Sequence, residues 1–150
     1  MTLLAFLLIL HILGAVTWVG GMAFSILVLR PSLMALEPAQ RLDLHARVFK
    51  RFFLIVWHAM PIMILTGFGM VGLYGGFAKV QWNVHVMLLT GVIMAAVFVL
   101  MFFGPWKRMR AAMAASDRPA AASAADSIRK LVTANLVLGT ITIIVAAWEG

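Results

Sequence analysis

Four long runs of apolar residues, separated by shorter polar stretches, set the plan of this chain. The first covers Leu3–Leu29 and ends at Arg30-Pro31; the second runs from about Phe52 to Tyr74, ahead of Gly75-Gly76. The third covers about Gln81–Phe103 and stops at Gly104-Pro105, and the fourth covers about Ile128–Trp148. Each approaches or exceeds the ~20 residues that cross ~30 Å of hydrocarbon at ~1.5 Å per residue. The pattern predicts an all-α integral membrane protein, with residues 1–150 forming one domain, an up-down four-helix bundle. Short connections make neighbouring helices antiparallel, with spans one and three diagonal or adjacent. Pro61 is expected to kink the second helix and free the carbonyl of Trp57. Pro38 through Lys50 has helical character and is expected to extend span two, whereas Ala111–Ala125 reads as a mobile or marginally helical linker.

Charge fixes a direction for these spans. The net surplus of +7 comes from basic residues clustered in the connections and at the start of the fourth run. Connection one holds Arg30, Arg41, Arg47, Lys50 and Arg51. Connection three holds Lys107, Arg108, Arg110 and Arg118, with Arg129 and Lys130 opening span four; connection two holds only Lys79. The positive-inside rule then puts connections one and three in the cytoplasm and both termini outside. The expected setting is a bacterial-type inner (cytoplasmic) membrane. The lipid bilayer is the expected partner, and nucleic acid is not. Tyr74, Trp82 and Trp148 would form an outer aromatic belt and Trp106 an inner one. The first run lacks a positive flank ahead of it and is too long for a signal-peptide core, so it reads as a retained helix. Cysteine is absent, which excludes disulfides, thiolate metal sites, iron–sulfur clusters and covalent c-type haem.

The chemistry inside the membrane is almost all imidazole. His11, His58 and His85 lie within the apolar runs, which contain no carboxylate to share the work. An ionisable residue at that depth marks a functional site by default. His11 precedes Arg30 by about 28 Å of helix, and His85 precedes Lys107 by about 33 Å, on spans running in the same direction. The two therefore belong at nearly equal depth in the outer membrane, on different helices, the arrangement that axial ligation of a haem iron requires. Gly14 and Trp18 share the face of His11, the first leaving space for a flat macrocycle and the second able to pack on its edge. The leading expectation is a haem b protein with His11 and His85 as ligands and an electron-transfer role. A quinol or another membrane redox partner would serve it, and Lys79, Gln81 or Asn83 would meet the propionates. The plainer reading is that these histidines hydrogen-bond helices together.

His58 lies about 10 Å in from Arg51, in a different layer. With Met60 and Met63 it forms a His/Met cluster suited to copper, although His58 and Met60 fall on different faces of a regular helix. A structural bond to a freed carbonyl serves equally well for His58. Met87, Met94 and Met101 form a heptad stripe on span three that reads as packing. His45, beside Asp43 and Arg47, reads as solvated surface. Gly20-Gly21, Ala134 and Gly139 suit close helix packing, either internal or in a homo-oligomer.

Leu10-His11, then Trp18-Val19-Gly20-Gly21 and Arg30, are followed by Trp82-Asn83-Val84-His85 and later by Arg129 and Asn135. In this order the chain resembles the small four-helix members of the CopD-like membrane family, and more distantly the HemJ-type protoporphyrinogen oxidases. The first resemblance implies copper handling. The second implies b-haem and a membrane oxidoreductase. The HemJ pattern in the third helix has a lysine two residues beyond its histidine, and here Met87 stands there, so the resemblance to that enzyme departs at a functional position.

Overall fold

Residues 1–148 are described by a computed structural model, and they form four long helices. Helix α1 spans Leu3–Leu33, α2 Pro38–Leu73, α3 Trp82–Ala114 and α4 Arg118–Ala146, each long and apolar enough to cross a membrane. Local signals fix the ends. Thr2 caps α1 by accepting the Ala5 amide at 3.2 Å. Glu37 and Gln40 form a reciprocal capping box at the start of α2, with Pro38 in its first turn. Arg41 ties the intervening corner, its guanidinium donating to the carbonyls of Leu33 (3.2 Å) and Leu36 (3.1 Å) at the end of α1. Gly75 and Gly76, both at φ +94°, close α2, and a short turn at Phe77–Lys79 leads into α3.

At 36 residues α2 is about 54 Å long, well beyond the ~30 Å of hydrocarbon. Its first turns project from the apolar layer, as the pattern over Pro38–Lys50 predicts. The helix runs unbroken through Pro61.

Two ends expected from prolines are not ends. Arg30-Pro31 and Gly104-Pro105 lie at or beside wider π turns, Ser25–Leu29 and Phe102–Trp106, through which α1 and α3 continue. A proline lacks the amide for its own i−4 carbonyl, and a local widening lets the chain pass without stopping. The expected linker at Ala111–Ala125 is also corrected. It is helical on both sides of a tight corner where Ser116 takes φ 53° and Asp117 caps α4 by accepting the Ala120 amide. Its alanines are packing residues: Ala112, Ala121, Ala124 and Ala125 are buried, and their small side chains let α3 and α4 approach closely.

Helix α1 packs chiefly on α2, and α3 on α4; α4 also touches both α1 and α2. The cross-section is thus a diamond with α2 and α4 across the short diagonal. Two glycines mark the crossings. A Cβ on Gly139 would meet Val19 of α1 at 3.0 Å and Met94 of α3 at 3.1 Å. A Cβ on Gly67 would meet His11 of α1 at 3.3 Å and Leu88 of α3 at 3.5 Å. Gly21 is likewise filled by Phe52, so Gly21 and Gly139 serve packing within the chain.

The half of the bundle nearer the basic connections is an aromatic core. Phe53 stacks on Phe49 at 5.5 Å and meets Trp106 edge-on at 5.3 Å, and Trp57 meets Phe98 and Phe102, each at 5.3 Å. Trp106 is therefore buried instead of facing an interfacial belt, while Tyr74, Trp82 and Trp148 are exposed. His45, expected as solvated surface, stacks on Phe49 at 4.4 Å. Methionines 22, 60, 94, 101 and 109 fill the same core, which agrees with packing for two members of the stripe, Met94 and Met101.

Candidate functional site

The seam between α1 and α2 collects most of the polar chemistry. Its antiparallel register follows from close contacts: Leu7 meets Gly69, His11 meets Met63 and Thr66, and Gly14 meets Ala59 and Met63. His11 Nδ1 lies 3.0 Å from the Met63 carbonyl and 3.1 Å from Thr66 Oγ1. A carbonyl can only accept, so Nδ1 carries the proton and donates. Thr66 sends its own hydrogen to the Ile62 carbonyl at 2.6 Å, leaving its oxygen to accept from the imidazole. The ring is thereby fixed in one tautomer, with Nε2 left as a lone-pair donor. This is the way protein ligands to metals are oriented: one ring nitrogen anchored, the other presented.

Met63 belongs to the same place. The Cβ position of Gly14, one turn along α1 from His11, is 2.6 Å from Met63 Cγ and 3.5 Å from its sulfur. Space that a side chain at position 14 would take is occupied by the Met63 thioether. Met60 is turned away into the core. The structure therefore separates the expected His58–Met60–Met63 group: Met63 sits with His11, Met60 among core side chains, and His58 on an exposed face.

His58 Nδ1 bonds the Leu54 carbonyl at 2.8 Å, one turn back on its own helix. The same logic makes Nδ1 the donor and Nε2 the acceptor, and Nε2 takes no hydrogen bond among the described residues. The freed carbonyl expected from Pro61 belongs to Trp57, so this bond is a different one. A cleft of about 320 Å³ opens beside His58 between the two helices. From α1 it is lined by Leu10, Leu13, Gly14 and Thr17, and from α2 by Ile55, His58, Ala59 and Ile62.

His85 is exposed and stacks on Phe77 at 6.1 Å. Gly67 contacts both His11 and Leu88, which places His85, one turn before Leu88, close to the level of His11. His11 bonds to α2, whereas His85 lies against Phe77. His11 is engaged with α2, and Gly67 with Leu88 occupies the interval between it and α3. Gly14 is filled by Met63, and Trp18 is buried edge-on against Phe98 at 6.4 Å. Gly67 and Leu88 thus stand between His11 and α3. No group of three or more His, Cys, Asp or Glu able to hold a metal occurs among the described residues.

Two polar residues were not singled out by sequence. Thr66 lies on another helix from His11, and only the interhelical register joins them. Thr17 lies four residues after Leu13 with no polar neighbour to draw notice. Asn135, fully buried on α4, donates from Nδ2 to the Met94 carbonyl at 3.0 Å, while its Oδ1 has no partner among the described residues.

Four membrane-length helices, packed into one bundle with imidazoles on the seams, define a multi-pass α-helical membrane protein. A family model described as CopD, copper resistance protein D, matches residues 46–149, and the chain belongs to that family. The match covers α2 from Ala46 through α4; His11, Gly14, Trp18 and the rest of α1 lie outside it. No curated protein and no solved structure matches the chain.

Proposed function

We propose that this protein handles copper within the membrane, and that His11 Nε2 and the Met63 thioether take the ion on the α1–α2 seam. The observation that carries the reading is the anchoring of His11: its Nδ1 proton is committed to the Met63 carbonyl, so in the neutral ring the lone pair lies on Nε2. Thioether and imidazole suit Cu(I), and a soft two-donor set discriminates against the hard cations that carboxylates would attract. Membership of a family described by copper resistance supports the same reading. Copper here is cargo; the protein supplies donors, a low dielectric and access from the membrane. Anaerobic Cu(I) titration of detergent-solubilised protein against a chromophoric chelator tests it. His11→Ala should weaken binding at least about tenfold, Met63→Leu by a similar factor, and Met60→Leu little, since each ligand bond is worth more than ~1.4 kcal/mol. Absence of Cu(I) binding, or equal affinity in His11→Ala, would end the proposal.

Haem b between His11 and His85 is the second reading, favoured by the near-equal level of the two residues and opposed by the packing of Gly67 and Leu88. A reducible Soret band in purified protein, lost in His11→Ala and in His85→Ala but kept in His58→Ala, would restore it.

A further inference from the structure

We infer that the cleft beside His58 binds the head group of a lipid-soluble hydroquinone, at a site that adjoins the copper donors at Gly14 and Ala59 but does not rest on that reading. The argument begins with unmet hydrogen bonds. Thr66, Thr90, Thr133, Thr140 and Thr142 each return their hydroxyl to the carbonyl four residues back on their own helix. Thr17 does not, and its hydroxyl takes no hydrogen bond among the described residues. It lines the cleft from α1, facing the same space as His58 from α2. Two polar groups on opposite walls of an apolar cleft, at hydrocarbon depth, thus wait for a partner that the protein does not provide.

The chemistry of the two groups selects the partner. An acyl chain would leave both unsatisfied, and bulk water is absent at that depth. A soft metal ion gains nothing from a threonine hydroxyl. His58 is more specific than a generic polar wall, because the Leu54 carbonyl holds its proton on Nδ1 and makes Nε2 an obligate acceptor in the neutral ring. The ligand must therefore donate a hydrogen bond there. On the other side it must offer an oxygen that Thr17 can bond as donor or acceptor. Between them it must be apolar and flat enough to lie among Leu13, Ile55 and Ile62. A hydroquinone has a hydroxyl at each end of an aromatic ring and carries an apolar tail that can leave through the open side into lipid. The cleft is open along one side, so a ring-sized head group can enter it directly from the lipid. The oxidised quinone has only carbonyl acceptors and cannot satisfy Nε2, so the reduced form is preferred.

The test uses the full chain in nanodiscs and a photoreactive decyl-hydroquinone, with labelled peptides identified by mass spectrometry. Labelling is expected within residues 10–17 and 55–62. Unlabelled decyl-hydroquinone should displace the probe about tenfold better than decyl-quinone, the value of one lost ligand hydrogen bond. His58→Leu should abolish that preference, and Thr17→Val should weaken hydroquinone about three- to tenfold on the same basis, both with unchanged helical circular dichroism. If His58→Leu does not fold, the ratio in wild type and Thr17→Val decides. Equal displacement by hydroquinone and quinone in the wild type would overturn the inference. So would equal displacement by decanol, or labelling elsewhere in the bundle.

Discussion

Gly67→Ala is the most informative single change at the seam. The added Cβ would stand 3.3 Å from His11 Cε1, 3.7 Å from its Nδ1 and 3.5 Å from Leu88 Cδ2. The ring cannot swing away freely, because Met63 and Thr66 hold it at 3.0 and 3.1 Å. A retreat of a few tenths of an ångström lengthens both bonds toward the limit at which they cease to count. Interhelical hydrogen bonds in membrane bundles average ~0.6 kcal/mol, and replacing a helical glycine by alanine returns roughly 0.5–1 kcal/mol. With contact strain added, Gly67→Ala should come out about 0.5 kcal/mol less stable than wild type. Gly91 supplies the control, since nothing lies within 4 Å of its Cβ position. Gly91→Ala should gain the propensity term of about 0.5–1 kcal/mol undiminished. Equilibrium unfolding in mixed micelles with increasing SDS, followed by tryptophan fluorescence, reads both variants. The gap between them, roughly 1–1.5 kcal/mol by this reckoning, is the prediction. Equal stability of Gly67→Ala and Gly91→Ala would refute the close approach of His11 to α2.

Other outcomes follow from single side chains. Asn135→Leu should lie within about 1 kcal/mol of wild type in the same assay, because loss of one interhelical bond is offset by removing an unpartnered buried oxygen. Asn135→Asp should be destabilising by about 2.5 kcal/mol or more, the cost of a charge at mid-span; a large loss in the leucine variant would show that Oδ1 is in fact satisfied. Ser116→Gly should stabilise by about 0.5–1 kcal/mol, because a left-handed conformation costs a side-chain-bearing residue more than glycine loses in entropy. A lower midpoint for Ser116→Gly would mean that the serine side chain stabilises the corner in another way.

The helices were legible because hydrocarbon thickness and backbone hydrogen bonding leave few alternatives for apolar runs of this length. Their ends were less so. Pro31 and Pro105 looked like stops, but a widened turn carries each helix past its proline. Ala111–Ala125 looked like a linker because alanine carries no amphipathic signal, although its small size is what lets α3 and α4 pack. The turning of Met60 away from His58 was readable from helical rotation alone. The partners of His11 were not: Met63 and Thr66 are remote in sequence, and only the register of α1 against α2 brings them to the imidazole. The near-equal level of His11 and His85 followed from counting residues along parallel helices. Counting gives depth but no azimuth, and the azimuth engages His11 with α2 and leaves His85 against Phe77.

X-ray absorption at the copper edge of anaerobically Cu(I)-loaded protein tests the central claim most directly. The account predicts an imidazole nitrogen and a thioether sulfur in the first shell, with the sulfur signal lost in Met63→Leu and the nitrogen signal altered in His11→Ala but not in His58→Ala. A first shell unchanged by both Met63→Leu and His11→Ala would contradict it.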